Sequence, residues 1–286
     1  MMPASTVLPP VRTAVRDDAG SGEVKGPYVP AWADALREED ETLEPLLRDR
    51  GWILQKRHGF RFSLDALLLS WLVTVRQGSA GTSRRIRYMD LGTGSGIVPI
   101  LLAKWHAGLR GFGVEIQRPL ASMAARNMKL HGLEGRFEIL CENLKELPSR
   151  FPRGCMDWIT INPPYRKLRS GRVNPDPQKA VARHELAATL REICSVMGLL
   201  LRQKGKAFLV YPAGRLNELL AELQGAGLAP KYLRPVYPKP GEKACWILVE
   251  AVCGGGDGLQ VDAPLWIEDE RGADSEELTR IFLWRF

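Results

Sequence analysis

From Ile86 onwards, short apolar runs alternate with longer segments of helical periodicity. Five of the short runs are predicted to be strands: IRYMDLG, GFGVEI, FEILC, MDWITI and GKAFLVY. Four longer segments have the apolar spacing of helices: GIVPILLAKWHAG, RPLASMAARNMKLHG, HELAATLREICSVMGLLLRQKG and AGRLNELLAELQGAG. Strands that alternate with helices in this way predict an α/β chain with a doubly wound, mostly parallel sheet.

The ends of the chain follow different patterns. Two further apolar runs, YLRPVYP and ACWILVEAVCG, are joined by KPGEK and predict antiparallel strands at the sheet edge, which brings the sheet to seven strands. A final extended piece and a helix are predicted from GLQVDAPLWIED and EELTRIFLWRF. The acidic residues 31–50 are expected to be partly helical. We divide the chain into a flexible tail at 1–42, a small N-terminal cap at 43–85 and the α/β domain at 86–286.

Charge, cysteine and histidine usage narrow the possible functions. Residues 1–50 hold 6 Lys/Arg and 10 Asp/Glu, which leaves 34 against 23 in the rest of the chain. This basic balance indicates a polyanionic partner, with a solvated basic surface as the alternative.

No apolar run reaches the length of a membrane span, and the first residues lack the order of a secretory signal, so we expect a soluble, cytoplasmic protein. The five cysteines and four histidines have no ligand spacing, so no metal site is expected.

A glycine-rich turn follows the first strand of the α/β domain. Asp90-Leu-Gly92-Thr-Gly94-Ser-Gly96 lacks the third glycine of a dinucleotide fingerprint and the Gly-Lys of a Walker loop, which argues against a pyrophosphate ligand. Glu115 ends the next strand, where an acid can accept hydrogen bonds from ribose hydroxyls. A nucleoside ligand is therefore favoured over a glycine turn that merely connects strand to helix.

This arrangement resembles the S-adenosylmethionine site of class I methyltransferases. The resemblance implies a Rossmann-like fold and S-adenosylmethionine as cofactor. The residues that it assigns to the cofactor are Asp90, Gly92, Thr93, Gly94, Gly96, Glu115, Ile116, Asn143, Leu144 and Asn162. Many of these enzymes place an aspartate at the end of the third strand, whereas this chain has Asn143, which can donate as well as accept.

The second motif is Asn-Pro-Pro-Tyr, which directly follows the apolar run WITI. Two prolines fix the backbone and supply no N–H donor, so the Asn162 side chain and the Pro163 carbonyl form a rigid pair of acceptors. Such a pair can hold a planar amine with its lone pair directed outward, and an aromatic ring can stack on the attached π-system. The motif resembles the signature of amino-group methyltransferases, which makes Asn162, Pro163, Pro164 and Tyr165 the candidate catalytic group; a stiff turn with a surface tyrosine is the alternative.

The same four residues occur in release-factor glutamine methyltransferases and in enzymes that methylate adenine N6 or guanine N2 of nucleic acids. The loop after the motif favours a nucleic acid, because residues 166–183 hold six Lys/Arg and a single acid, Asp176. Such a loop can neutralise phosphates while a base enters the site. A loop that is merely solvated is the alternative.

The stretch from Gln55 to Leu69, together with DLGTGSGIVPILLA, GVEIQ, NPPYRKLRSGRVNP, ARHE and RLNELLAEL, is similar to bacterial tRNA (adenine-N6)-methyltransferases that modify adenosine 37 of valine tRNA. The resemblance runs from about Leu43 to the C-terminus. It implies a tRNA substrate and a cap in which Phe62 and Asp65 close over the cofactor. The residues that we expect to contact RNA are Arg57, Arg61, Arg166, Lys167, Arg169, Arg172 and Arg183. We also expect a monomer; a protein glutamine methyltransferase and a non-catalytic RNA-binding module are the alternatives.

Overall fold

A computed structural model describes residues 31–47, 51–58, 61–78, 85–163 and 188–283. The N-terminal part contains one helical turn, α1, and an antiparallel ribbon of two strands, followed by the first long helix. The bounds of these elements are α1 Ala31–Asp34, β1 Glu41–Pro45, β2 Trp52–Lys56 and α2 Leu64–Gln77. The ribbon begins two residues before the predicted start of the cap at residue 43.

The α/β domain is built on a central sheet. Its strands are β3 Ile86–Leu91, β4 Leu109–Val114, β5 Phe137–Leu140, β6 Met156–Ile161, β7 Leu201–Pro212, β8 Leu228–Tyr237, β9 Trp246–Cys253, β10 Gln260–Val261 and β11 Leu265–Trp266. Its helices are α3 Ile97–Trp105, α4 Arg118–Leu130, α5 Leu147–Arg150, α6 Leu190–Leu200, α7 Leu216–Gly225 and α8 Glu276–Phe282.

The strands lie in the order β5-β4-β3-β6-β7-β9-β8, and the short strands β10 and β11 both pair with β8. The first five strands of this order are mutually parallel, whereas β9 runs antiparallel to both β7 and β8. The predicted mostly parallel sheet with an antiparallel edge is therefore confirmed, and the two short strands β10 and β11 extend the predicted seven strands to nine. Parallel strands present their carboxyl ends at one edge, where ligands of doubly wound sheets bind.

Two hydrophobic cores cover the two faces of the sheet. One contains α2, α3 and α8 packed against side chains such as Tyr88, and the other contains α6 and α7 packed against side chains such as Met89. Successive residues of a strand point to opposite faces, so β3 contributes to both cores. Helices on both faces explain why five of its six residues are buried.

One sequence prediction of an element boundary was wrong. The helix expected to run to Gly205 ends at Leu200, and the next residue, Leu201, begins β7 and pairs with Met156. An unbroken apolar run does not distinguish a buried helix from a buried strand. The expectation that residues 31–50 are partly helical is met by the short α1, whereas the strand β1 that follows was not predicted.

The N-terminal ribbon is fastened to α4 by a buried ion pair. Glu41 is fully buried, and its carboxylate accepts hydrogen bonds from Arg126 at 2.5 and 2.7 Å and from Lys56 at 3.1 Å. Leu54 of β2 packs against Leu120 and Met123 of α4 beside this pair. The acids of β1 thus lie in the interior, where their charge is compensated.

Replacing Glu41 with glutamine is expected to lower the melting temperature at pH 7. Burial alone would raise the pKa of Glu41, but the hydrogen bonds from Arg126 and Lys56 lower it from 4.5 to about 2. A lowered folded-state pKa contributes stability above pH 4.5, and that contribution is lost as pH falls towards 2. Loss of a charged hydrogen-bond acceptor lowers the free energy of unfolding by on the order of 2 kcal/mol. In a chain of this size, this lowers the melting temperature by about 5 °C.

Thermal melts of Glu41→Gln and wild type from pH 7 down to about pH 3 check this expectation. The difference in melting temperature should narrow as the pH falls. Glu276→Gln is the matched control, because the Glu276 side chain is 82% exposed in its ion pair with Arg280. Equal melting temperatures at pH 7, or a difference that does not change with pH, would contradict the role of this ion pair.

None of the helices in the described ranges combines the length and the apolar character that a membrane-spanning helix needs.

Candidate functional site

The glycine turn lies between the end of β3 and the start of α3. The N–H groups of Gly92 and Thr93 both donate to the carbonyl of Val114, at 2.8 and 2.9 Å, which holds the turn against the end of β4. Gly96 has a φ of 80°, and a Cβ there would lie 2.6 Å from the Met128 side chain. A Cβ on Gly92 would have no described atom within 4 Å. The turn is therefore tightly packed on the side of α4 and open above Gly92, as a site for a ligand requires.

Glu115 lies next to the turn at the end of β4. Its buried carboxylate accepts hydrogen bonds from the N–H of Gly94 at 3.0 Å and from the N–H of Gln117 at 2.9 Å. A carboxylate has about four acceptor positions, so two bonds leave it able to accept from ligand hydroxyls. Ile116, the next predicted site residue, is half-buried at the same edge.

Asp90 is deeply buried below the turn and belongs to a chain of hydrogen bonds. The Thr160 hydroxyl donates to Asp90 at 2.6 Å, and because its proton is used there, the Tyr88 hydroxyl donates to Thr160 at 2.5 Å. Burial raises the pKa of Asp90 to about 7, although the hydrogen bond from Thr160 works in the opposite direction. Sequence reasoning did not assign Thr160 or Tyr88 to the site; a threonine inside the apolar run WITI was the available signal.

Asn143 follows β5 at the same edge. Its side-chain oxygen accepts a hydrogen bond from the N–H of Lys145 at 3.1 Å and so caps the short 3₁₀ turn that begins at Leu144. Leu144 itself packs against the second core. The side-chain oxygen of Asn143, which the resemblance assigns to the cofactor site, is thus already engaged in a helix cap.

Asn162 and Pro163 come directly after β6. Leu91 and Ile161 are register partners in the parallel pair of β3 and β6, so Asn162 leaves the sheet beside Gly92. Asn162 is half-buried and Pro163 is buried. The motif and the glycine turn, far apart in sequence, are thereby brought together. The remaining predicted residues of this region lie outside the described residues: Pro164, Tyr165, Arg166, Lys167, Arg169, Arg172 and Arg183.

The predicted residues of the cap lie between β2 and the start of α2. Phe62 packs against the first core and its N–H donates to Gln55 at 3.2 Å. Asp65 is buried in the first turn of α2, where it accepts from Ser63 at 2.5 Å and from the N–H of Ala66 at 2.9 Å. Helix α2 packs against α3, the helix that follows the glycine turn.

The two arginines predicted to contact RNA in the cap differ in their surroundings. Arg57 is exposed, and its guanidinium donates to the carbonyl of Glu41 at 3.2 Å. Arg61 forms an ion pair with Glu44 at 2.5 Å and also donates to the carbonyl of Lys56 at 3.1 Å. Arg61 thus has a structural role within the ribbon, and contact of either arginine with RNA stays a prediction.

A trio of carboxylates in the described part of the chain could be mistaken for a metal site. One oxygen from each of Glu38, Asp40 and Glu41 lies within 4.8 Å of the others. The Lys56 ammonium contacts these three carboxylates at 3.8, 3.0 and 3.1 Å. The lysine supplies the positive charge that these acids need, so the trio gives no reason to expect a metal ion.

Comparisons with known proteins bear on this geometry. No family model matches the sequence. Several curated tRNA1(Val) (adenine(37)-N6)-methyltransferases are 26% to 31% identical to it. The one from Pedobacter heparinus is 27% identical over 172 residues, which are 59% of this chain and 68% of the relative. The match to the one from Porphyromonas gingivalis covers 51% of that protein. The matches therefore span between 51% and 83% of the length of these relatives.

Two other similar proteins complete the comparison. A release factor glutamine methyltransferase from Agrobacterium fabrum is 36% identical over 126 residues, 44% of this chain and 36% of the relative. Among solved structures, a predicted O-methyltransferase from Agrobacterium tumefaciens has a TM-score of 0.61 at 19% identity and covers 78% of this chain and 98% of its own. The chain therefore has the class I methyltransferase fold and, as its motifs predict, is a relative of the tRNA1(Val) (adenine(37)-N6)-methyltransferases.

Proposed function

We propose that this chain is an S-adenosylmethionine-dependent N-methyltransferase that modifies the exocyclic N6 amino group of an adenine in RNA, specifically adenosine 37 of the valine tRNA anticodon loop. The observation that carries the proposal is the register of β3 and β6, which brings Asn162 and Pro163 beside the glycine turn. The names of the sequence relatives support the choice of base and RNA. We further propose a cytoplasmic monomer in which residues 43–85 form a cap.

The residues at the carboxyl edge fit the proposed cofactor. The space above Gly92 can accept a ligand at the backbone, and the Glu115 carboxylate retains acceptor positions for two ribose hydroxyls. Pyrophosphate would find a carboxylate here instead of the cations that it needs, whereas a nucleoside without phosphate avoids that repulsion. Ile116 and Leu144 supply apolar surface on either side of a purine.

When bound, S-adenosylmethionine supplies a methyl group on a positively charged sulfur. The chain's own contribution is to orient the amine: the side-chain oxygen of Asn162 and the carbonyl of Pro163 accept its two N–H groups, which turns the nitrogen lone pair away from both acceptors. Orientation of this kind is worth several powers of ten in rate. The chain need not provide a strong base, because the amine loses its proton only after it has reacted.

The polyanion in this proposal is the RNA backbone. Residues 166–183 follow the motif directly, and their six Lys/Arg can neutralise phosphates on either side of the target nucleotide. A base in an anticodon loop is already unpaired, so moving it into the site costs little. The proline-flanked Tyr165 is the proposed stacking partner for that base.

Incubation with labelled S-adenosylmethionine and total bacterial RNA, followed by digestion to nucleosides, tests the function. Labelled N6-methyladenosine in valine tRNA is the expected result. Label in guanosine would show that the base is wrong. In a parallel incubation with a release-factor peptide in place of RNA, label in the peptide would favour the glutamine methyltransferase alternative, which the relative from Agrobacterium fabrum supports. Binding of RNA without any label would indicate a non-catalytic module.

Replacing Arg166, Lys167 and Arg169 together with alanine is expected to weaken RNA binding and to flatten its dependence on salt. Each phosphate contact contributes about 0.7 to 0.9 to the slope of log K against log salt, so three lost contacts should reduce the slope by about 2. Fluorescence anisotropy with a labelled anticodon stem-loop at several salt concentrations measures this slope.

The matched control replaces Arg85, Arg110 and Arg153, three exposed arginines near the opposite, amino-terminal ends of β3, β4 and β6. It removes the same charge from the chain, so an effect of net charge alone would appear in both variants. Equal changes of slope in the two variants would count against a specific RNA contact by the loop. An unchanged slope in the first variant would favour a protein substrate.

A further inference from the structure

The free edge of β2 is covered by side chains from other elements. In an antiparallel ribbon, alternate residues direct both backbone polar groups away from the partner strand. Trp52, Leu54 and Lys56 do so here, and each has a side-chain partner. The Trp52 carbonyl contacts the His131 ring at 2.9 Å, Leu54 is bonded by Asn127, and the Lys56 carbonyl accepts from Arg61. These contacts satisfy an edge that would otherwise be exposed.

Asn127 makes the central contact and also reaches the glycine turn. Its oxygen accepts from the N–H of Leu54 at 2.8 Å, and its amide nitrogen donates to the carbonyls of Leu54 at 3.0 Å and Ser95 at 2.8 Å. The side chain is fully buried. Both N–H groups of the Asn127 amide are used in this way. If the amide moved away from either carbonyl, a buried polar group would lose its hydrogen-bond partner.

Ser95 occupies a demanding position in the turn. It lies between Gly94 and Gly96, which have φ values of 56° and 80°. Glycine adopts such φ values without steric cost but leaves the backbone conformationally free, so contacts from other elements help to fix the turn. The carbonyl of Ser95 is one point at which the turn is fixed from outside, and that point is provided by the same amide that holds β2.

We propose that Asn127 is a positioning residue for the cofactor site: it fixes the glycine turn through Ser95 and couples that turn to the docking of the N-terminal ribbon through Leu54. This inference rests on the proposed function, because it assumes that the turn binds the cofactor. Coupling between two sites is reciprocal. A ligand that orders the turn therefore also tightens the contact of β2 with α4, next to the cap.

Arg126, the neighbour of Asn127 on α4, allows the contacts with the N-terminal segment to be tested separately from the contact with the glycine turn. Its guanidinium donates to the carbonyl of Leu36 at 2.7 Å and to the carboxylate of Glu41, and so it holds the N-terminal segment. In the described part of the chain, its hydrogen bonds and ion pairs go to Leu36, Glu38 and Glu41 and not to the glycine turn. Arg126→Gln thus removes bonds to the segment around Leu36 and Glu41 but leaves the bonds of Asn127 to Leu54 and Ser95, on which the proposed coupling depends, in place. This makes it the matched control.

The test compares Asn127→Asp and Asn127→Leu with Arg126→Gln. Aspartate at position 127 keeps an acceptor for the N–H of Leu54 but has no amide donors for the two carbonyls. Leucine is similar in size to asparagine and makes none of the three hydrogen bonds. Binding of S-adenosylhomocysteine is measured by calorimetry, and amide exchange of residues 52–56 is measured with and without this ligand. We expect both Asn127 variants to bind about 10-fold more weakly and Arg126→Gln to stay within about twofold of wild type.

In wild type, the ligand should slow exchange at the Leu54 amide, and in the Asn127 variants this protection should disappear. Equal losses of affinity in the Asn127 and Arg126 variants, or no protection of the Leu54 amide in wild type, would overturn the proposal. The exchange measurement in wild type does not depend on whether any variant folds. Wild type that binds the ligand but methylates no RNA would contradict the proposed function alone. Wild type that does not bind the ligand would overturn both.

Discussion

Asn162→Ala should lower kcat by about 100-fold while changing the affinity for S-adenosylhomocysteine by less than about threefold. In the proposed mechanism, Asn162 acts on the attacking amine, which needs an acceptor on each of its N–H groups to stay in line. Losing one preorganised polar partner of a reacting group typically costs a factor of 10²–10³ in turnover. The Pro163 carbonyl remains in place in this variant, so the residual activity should still exceed the uncatalysed rate.

Single-turnover methylation at saturating cofactor and calorimetry with the product measure the two quantities separately. Asn162→Asp keeps an oxygen acceptor and should retain more activity than Asn162→Ala. Gln224→Ala is the matched control, because Gln224 carries the same amide group and is exposed at the C-terminal end of α7, shortly before β8 begins. Equal losses of turnover and of cofactor affinity would instead make Asn162 a residue that holds the cofactor, and the proposed orientation of the amine would be wrong.

The part of the site that could be predicted from the sequence consists of residues fixed by the ends of strands. Asp90, Glu115 and Asn162 each follow an apolar run, and parallel strands bring such positions to one edge. The prediction needed only the order of strands and helices. It did not need any detail of side-chain packing, which is why the wrong end of α6 did not affect it.

The contacts that hold the site could not be predicted in this way. Asn127 lies in the middle of an amphipathic helix, where an asparagine has no distinctive local pattern, and its partners Leu54 and Ser95 are distant in sequence. The strand β1 was missed because its acids resemble a solvated segment, although Glu41 is buried against Arg126. Both features depend on tertiary contacts between charged or polar groups, which local periodicity does not report.

Asn143 shows a further limit. The sequence placed it correctly at the end of β5, and its residue type left open whether it accepts or donates. The structure uses its oxygen to cap the turn at Leu144. Asparagine is a favoured N-cap residue, so this local role competes with a role in the cofactor site. The competition is visible only when the partner N–H of Lys145 is located.

Glu115→Gln is expected to weaken binding of S-adenosylhomocysteine by about 100-fold while leaving kcat at saturating cofactor nearly unchanged. The carboxylate accepts from Gly94 and Gln117 with different oxygens. A glutamine offers one oxygen, so its amide group must face one of these two N–H donors and the turn is disturbed. The ribose hydroxyls also lose a charged acceptor, a bond worth about 1.5–3 kcal/mol, and 1.4 kcal/mol is a factor of ten in affinity.

The control for this variant is Glu134→Gln, which removes the same charge from an exposed position before β5. Calorimetry with S-adenosylhomocysteine should separate the two variants, and their melting temperatures show whether the fold is retained. An unchanged affinity in Glu115→Gln would mean that the ribose does not lie at the end of β4. Because the glycine turn is bonded to β4 through Val114 and Glu115, the cofactor would then have to bind away from the turn, and the neighbouring position of Asn162 would lose its significance.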